Sequence, residues 1–119
     1  MNNYKELTVW QKSIDLVELI YGIVKRLPKE ETYALADQMR RAAVSIPSNI
    51  AEGYGRNAPK EYARFLSIAR GSKYELETQL LICVRINYLD EKDIEKAMVL
   101  CDEIGKMLTV LIGKLENKE

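Results

Sequence analysis

The sequence contains no histidine among its 119 residues, and this absence excludes several kinds of active site. Histidine is the usual base near neutral pH and the partner in Ser-His and Cys-His nucleophile pairs. Zinc sites built on histidine and the Glu-x-x-His di-iron bundle are excluded for the same reason. Two neighbouring carboxylates, Glu75 and Glu77, lie two positions apart on a predicted helix and therefore point in different directions. We expect no catalytic residue, no metal site and no cofactor.

Cysteine and long apolar runs are also scarce. Cys83 and Cys101 are the only cysteines, too few for a disulfide framework or a four-thiolate metal site. Both have apolar neighbours, so we expect buried free thiols in a reducing compartment. No unbroken apolar run exceeds five residues, whereas about 20 are needed to span a bilayer. The first residues lack the basic start of a signal peptide. The sequence predicts a cytoplasmic protein without a membrane partner.

Apolar residues recur at helical spacing along the whole chain, and prolines and glycines mark the breaks. The pattern predicts no strand and four helices, over residues 8–26, 31–54, 59–87 and 90–115. Helices of this length with short connections are typical of an all-α, antiparallel up-down-up-down four-helix bundle. We expect residues 1–119 to form that single domain. Pro47 lies inside the second helix, where it removes a backbone hydrogen bond, so we expect a kink there.

Residues at the predicted helix ends and breaks suggest local roles. Thr8 is expected to cap the first helix with Gln11 as its capping-box partner. Asp90 is expected to cap the fourth helix, with Asp93 in the first turn. Gly71 interrupts the third helix, and a gap of this kind is compensated where two helix backbones cross closely.

The first helix has two apolar rows, which together cover more than half of its circumference. A helix in a minimal bundle needs a narrower apolar stripe. The surplus predicts contact with another copy of the chain. The residues assigned to this oligomer interface are Trp10, Leu16, Ile20 and Ile23.

Charge is balanced overall, with 18 basic and 18 acidic residues, but it is uneven along the chain. Residues 40–70 contain six basic side chains against Glu52 and Glu61, whereas residues 89–119 contain five basic and eight acidic ones. Arginine suits phosphate because its planar fork binds two oxygens at once, and Tyr54 and Tyr62 are placed to stack on bases. The alternative is that the arginines pair with nearby glutamates. The candidate nucleic-acid-binding residues are Arg40, Arg41, Arg56, Lys60, Arg64 and Arg70.

A polar row also follows the second helix at spacings of three and four. Its members are Gln38, Arg41, Ser45, Ser48, Glu52 and Arg56, with Asn49 beside them. Buried polar groups must be hydrogen-bonded, so a network along this row would fix one packing arrangement. We prefer this structural interpretation to a small-ligand site at Asn49, Glu52 and Glu75.

Four blocks of this sequence resemble those of one bacterial family. They are LTVWQK at 7–12, QMRRAAVSIPSNIAEG at 38–53, FLSIARGS at 65–72 and ELETQ at 75–79. On these blocks the chain is identified as a member of the four-helix bundle family named for proteins encoded in intervening sequences of 23S rRNA genes, also called the S23 family. The resemblance covers about residues 7–115. The polar residues of the family blocks, taken as one network, are Gln38, Ser45, Ser48, Asn49, Glu52, Ser72 and Glu75.

The resemblance implies an antiparallel four-helix bundle that assembles into a ring-like homopentamer. A related protein, the accessory variability determinant of diversity-generating retroelements, is a strongly basic pentamer that binds reverse transcriptase and nucleic acid. This chain has no net charge and a calculated pI of about 6.4. We nevertheless expect a non-enzymatic homo-oligomeric scaffold that binds RNA or a ribonucleoprotein through its arginines. The six basic and two acidic residues of positions 40–70 give each copy a local net charge of +4, which becomes a ring of about twenty positive charges if five copies present the same face. The alternative is a protein–protein interaction module without a nucleic-acid role.

Overall fold

The computed structural model describes residues 3–117, and most of them are helical. The helices are α1 Thr8–Val24, α2 Leu35–Gly55, α3 Pro59–Arg85 and α4 Glu91–Glu116, with short 3-10 turns at Tyr4–Glu6 and Lys29–Glu31. No strand occurs within this described part of the chain, so the predicted all-α class is confirmed. Residues 1–2 and 118–119, which the single-domain prediction includes, lie outside the described residues.

Each helix packs against two others, because consecutive helices are in contact and α4 closes the ring against α1. The resulting bundle measures 48 × 21 × 20 Å. Its interior is apolar except for Ser13, Lys73 and Gln79. The large side chains that are fully buried include Leu16, Ile20, Met39, Ile46, Ile50, Leu66, Leu76, Leu80, Ile104 and Leu108. The predicted four-helix bundle is confirmed. Helix α2 continues through Pro47, whose ring is buried; the up-and-down helix order and the kink stay predictions.

Helix α1 buries one of its apolar rows inside its own chain. Leu16 and Ile20 are fully buried, and Ile23 is 8% exposed, all within the common core. The assignment of these three residues to an oligomer interface is therefore corrected, because the packing of α1 on α2 and α4 already covers them. Trp10 is half-buried and packs edge to face against Tyr4, with the ring centroids 5.3 Å apart.

The second helix begins four residues later than its sequence pattern suggests. Lys29–Glu31 forms a 3-10 turn, and α2 begins at Leu35. The Glu31 carboxylate accepts a hydrogen bond from the Leu35 N–H at 3.2 Å and another from the Tyr88 hydroxyl at 2.8 Å. The first N–H groups of a helix have no partner inside the helix, and Glu31, which lies before α2, accepts the hydrogen bond of the Leu35 N–H.

The two predicted caps have different outcomes. Thr8 is the first residue of α1 rather than its cap, and the Gln11 side chain donates instead to the Lys5 carbonyl at 2.9 Å. At the start of α4, Asp90 occupies the cap position as expected, and Asp93 in the first turn forms a capping box with it. Its closing bond runs from the Asp90 N–H to the Asp93 carboxylate at 2.8 Å.

Glycine makes close contacts between helices at two positions that the sequence analysis did not select. A Cβ placed on Gly53 would lie 2.7 Å from the Phe65 Cβ, and one on Gly105 would lie 2.8 Å from the Lys73 Cε. Gly71 is exposed, and among the described residues no atom outside its own stretch of α3 lies within 4 Å of its added Cβ. The predicted close crossing at Gly71 is therefore wrong, because that position faces away from the other helices.

Candidate nucleic-acid interface

The six candidate basic residues lie at three separate places on α2 and α3. Arg40 and Arg41 lie near the beginning of α2, and Arg56 lies immediately after its end. At a rise of about 1.5 Å per residue, fifteen residues of helix separate these two places by roughly 22 Å. Lys60 and Arg64 lie in the first turns of α3, near Arg56 in sequence. The structure therefore divides the basic region that the sequence suggests.

Near the beginning of α2, two guanidinium groups share one carboxylate. Arg41 Nε donates to Asp37 Oδ2 at 2.9 Å, and Arg40 approaches the same carboxylate at 3.7 Å. The Arg41 hydrogen bond contributes most to holding the pKa of Asp37 below its ordinary value. Arg40 also donates to the Thr32 carbonyl at 2.9 Å, which ties it to the α1–α2 connection. Local pairing therefore offsets part of the positive charge here.

At the other end of α2, Arg56 and Arg64 meet over one aromatic ring. Their guanidinium carbons lie 5.1 and 4.6 Å from the centroid of Phe65, within the range of cation–π attraction. Arg56 also donates to Glu52 at 2.9 Å, and Arg64 donates to Glu61 at 3.2 Å. The latter bond is the main reason why the pKa of Glu61 lies below its ordinary value. The ring and the carboxylates together fix both guanidinium groups.

Lys60 and Arg70 differ from these paired arginines. Lys60 is exposed and has no ion pair within residues 3–117. Arg70 donates to the hydroxyl of Thr109 at 3.2 Å and so links α3 to α4. We define the basic cluster as Arg56, Lys60 and Arg64, since these three share one end of the bundle.

The polar residues of the family blocks do not form one continuous network. Ser45 and Ser72 share a hydrogen bond between their hydroxyl oxygens, 2.8 Å apart, across the α2–α3 contact. The Asn49 amide donates to the Ser45 carbonyl at 2.8 Å and to its hydroxyl at 2.9 Å. These three residues are half-buried, so their hydrogen bonds help fix the packing of α2 on α3.

The other four polar residues lie outside that group. Glu52 pairs with Arg56, as described above, and Glu75 accepts a hydrogen bond from Gln79 at 3.3 Å. Gln38 and Ser48 are exposed, and their side chains form no hydrogen bond to any residue in the 3–117 range. The small-ligand site considered at Asn49, Glu52 and Glu75 is not assembled, since these side chains bond to different neighbours.

Lys73 is a buried cation that the sequence analysis missed. Its side chain is 6% exposed, and its ammonium lies 3.3 Å from the Glu77 carboxylate and 3.8 Å from the centre of the Tyr74 ring. Gly105 on α4 leaves the space that its Cε and Nζ occupy. A lysine and a glutamate four residues apart usually form an exposed pair, so the spacing of Lys73 and Glu77 does not indicate burial. The one sequence feature that suggests space for a buried side chain is Gly105 on the apolar face of α4.

Neither cysteine is arranged for chemistry. Cys83 and Cys101 are free and buried. Burial raises the pKa of the Cys101 thiol to about 12 and also raises the pKa of Cys83. Thiols with raised pKa values are poor nucleophiles because the reactive form is the thiolate. Across residues 3–117, no three metal-ligating side chains converge, and no helix has the length and apolarity to cross a membrane.

Comparison with known proteins decides the family. Residues 5–110 match the family described as 23S rRNA-intervening sequence protein. The chain belongs to this family. The family resemblance drawn from the four sequence blocks is therefore confirmed.

A solved structure from the S23 ribosomal protein family of Bacteroides thetaiotaomicron, described as a protein with unknown function, is also similar to this 23S rRNA-intervening sequence protein. The two are 26% identical and superpose with a TM-score of 0.81, over 88% of this chain and 98% of that one. No curated protein matches the chain. Neither the family description nor the neighbouring structure names a biochemical activity, so a functional proposal must come from the geometry.

Proposed function

We propose that this protein is a non-enzymatic, cytoplasmic scaffold that self-associates and binds RNA or a ribonucleoprotein through the basic cluster. The observation that supports this most directly is the pair of guanidinium groups over Phe65, with the exposed Lys60 in the first turn of α3, four residues before Arg64. Guanidinium groups held in place lose less freedom on binding than mobile ones, and their forked donors match phosphate oxygens.

The ion pairs of Arg56 and Arg64 do not prevent such binding. The side chains of both arginines and of their glutamate partners are about half exposed. Pairs of this kind contribute little in water and are easily exchanged. A phosphate oxygen is therefore able to replace Glu52 or Glu61 while Phe65 continues to hold the guanidinium groups.

One copy of the cluster has three cations against two carboxylates, so its positive excess is small. Self-association offsets this weakness, because several identical clusters bind one RNA chain with a high effective concentration. The pentamer expected from the family resemblance would present five clusters. We infer that RNA binding depends on assembly.

Apolar residues exposed on opposite edges of the bundle support the assembly. Ile14 and Tyr21 on α1 are 40% and 43% exposed, whereas Leu81 on α3 and Val99 on α4 are 53% and 54% exposed. The α1–α2 edge lies across the ring of helices from the α3–α4 edge. Contact between two different edges of successive copies is a heterologous interface, and it closes into a ring when the rotation permits.

The test combines mass and affinity. Light scattering on nuclease-treated protein measures the number of copies, and a mixed RNA pool is then added at low and at physiological salt. We expect a multimer that gains RNA mass, with binding that weakens steeply as salt is added.

A double variant, Arg56→Gln with Arg64→Gln, should lose most of this binding. The matched control is Lys25→Gln with Lys29→Gln, which removes two exposed charges near the α1–α2 connection, away from the basic cluster and from the α3–α4 edge. Equal RNA binding by both double variants would contradict the role of the cluster, and a monomeric protein would contradict the scaffold.

A protein–protein interaction module is the second candidate, and one groove favours it. Leu81, Val84, Met98 and Val99 line a groove of about 750 Å³ between α3 and α4, with charged residues around it. Aliphatic side chains surrounded by charges are typical of a protein-binding surface. Multimers that ignore RNA at every salt concentration would favour this second candidate.

A further inference from the structure

We propose that a depression beside the basic cluster binds the base of a single-stranded RNA nucleotide, an inference that rests on the RNA binding proposed above. The depression has a volume of about 280 Å³ and lies where the end of α2, the start of α3 and the end of α4 meet. Its lining residues are Tyr54, Asn57, Ala58, Pro59, Tyr62 and Leu115.

Two tyrosine rings give the depression its chemical character. The ring centroids of Tyr54 and Tyr62 are 5.8 Å apart, and their planes meet at 85°. A flat ring system that stacks on one of these rings lies perpendicular to the other, and edge-to-face contact of this kind is a favourable arrangement for aromatic groups. Proteins hold single-stranded nucleic acid by combining positive charge along the backbone with base stacking on aromatic side chains.

The size of the depression restricts its ligand. Pockets for drug-sized molecules begin at about 300 Å³, so 280 Å³ suits one planar ring system rather than a larger group. In double-stranded RNA the bases are stacked within the helix, so their faces are not free to enter such a space. The ligand expected is therefore an unpaired nucleotide.

Gly53 places the depression directly beside the basic cluster. An added Cβ on Gly53 would meet Phe65 at 2.7 Å and the Tyr62 ring at 3.1 Å, so both aromatic residues pack against the same point of α2. Phe65 holds the guanidinium groups of Arg56 and Arg64. A nucleotide with its base against Tyr62 would thus have its phosphate within the reach of the arginines.

Asn57 supplies a polar group at the edge of the depression. Its backbone has φ 60° in the connection between α2 and α3, and its side chain is exposed. The amide has both donor and acceptor atoms, and so does the edge of a nucleobase. Stacking on tyrosine supplies the attraction, and this amide supplies a hydrogen-bonding partner.

The test separates base binding from phosphate binding. Fluorescence anisotropy measures the affinity of the full-length protein for a labelled oligouridine of about ten nucleotides and for an abasic backbone of equal length. We expect the abasic strand to bind about tenfold more weakly, and Tyr54→Leu to weaken oligouridine binding by a similar factor. Tyr54→Phe retains the ring and should retain the affinity. Tyr33→Leu is the control, because Tyr33 is 93% exposed in the α1–α2 connection.

The outcomes distinguish the two proposals. Equal affinity for both strands, unchanged by Tyr54→Leu, would overturn the base site while leaving the basic cluster as a phosphate site. Absence of binding to either strand at low salt would overturn the proposed function and the base site together. Thermal unfolding of each variant shows whether the fold is retained. If Tyr54→Leu unfolds, Asn57→Gly, which suits the positive φ at that residue, takes its place and should weaken only oligouridine binding.

Discussion

Gly53→Ala adds one methyl group at a close contact between α2 and α3. The new Cβ would lie 2.7 Å from the Phe65 Cβ, 3.1 Å from a ring carbon of Tyr62 and 3.3 Å from the Tyr62 carbonyl oxygen. A Cβ and a carbonyl oxygen are attached to the backbone and cannot rotate away. The substitution therefore requires α3 to shift relative to α2.

The expected size of the effect follows from two opposing contributions. Overpacking of this kind costs about 1–3 kcal/mol. Alanine in place of glycine inside a helix gains about 0.5–1 kcal/mol. From the middle of these two ranges we expect Gly53→Ala to lower the free energy of unfolding by about 1 kcal/mol. Each kcal/mol lowers the thermal midpoint by roughly 4 °C in a domain of this size.

Gly71→Ala is the matched control, since Gly71 lies inside α3 with open space at its Cβ position. Gly71→Ala replaces glycine by a better helix former and brings no new close contact, so it should raise the free energy of unfolding by about 0.5–1 kcal/mol. Urea unfolding at one protein concentration measures both variants. A Gly53→Ala protein as stable as the parent would refute the close-contact argument, and so would a Gly71→Ala protein that is less stable than the parent.

Three further substitutions test the buried pair, a strained turn and an acidic cap. Glu77→Ala leaves the buried Lys73 without its carboxylate partner and should lower the free energy of unfolding, measured in urea, by about 2–3 kcal/mol. Asp102→Ala is its control, because it breaks an exposed pair and should change the free energy of unfolding by less than about 1 kcal/mol. Asn87 has φ 66°, so Asn87→Ala should cost about 1 kcal/mol while Asn87→Gly keeps the thermal midpoint of the parent. The Asp90 N–H donates to the Asp93 carboxylate and thereby lowers the pKa of Asp93. The stability that the charged carboxylate provides is therefore present above about pH 4, and it is lost as the pH falls through the lowered pKa. Asp93→Asn should therefore differ most from the parent at neutral pH, and a difference that persists unchanged in strong acid would contradict this reasoning.

The fold was predictable because apolar residues that pack in the core recur along the sequence at the spacing of an α-helix. Features that depend on distant residues were not predictable. The start of α2 depends on Glu31, which also accepts a hydrogen bond from Tyr88, 57 positions away. Similarly, Gly71 and Gly105 both lie inside helices, but only the structure shows that Gly71 faces open space and that the Lys73 side chain occupies the space beside Gly105.

The candidate site was predictable in its residue types but not in its grouping. Arginine content pointed to the α2–α3 region, and the partners of Arg56 and Arg64 are glutamates three or four positions away. Helical spacing alone therefore supports the alternative interpretation, in which Arg56 and Arg64 form ion pairs with nearby glutamates. The role of Phe65 as a common platform was missed, because the sequence does not show that residues 56 and 64 come together on one ring.

A neutral chain has no overall field to attract a polyanion, so any RNA binding must come from local arrangement and repetition. The salt dependence of affinity measures both, since its slope on a logarithmic scale is about 0.7 for each phosphate neutralised on a single strand. One basic cluster acting alone has three cations and would give a slope near 2. A much steeper slope requires several clusters on the same RNA and hence a multimer. The slope and the mass together therefore distinguish a single weak site from an assembled surface.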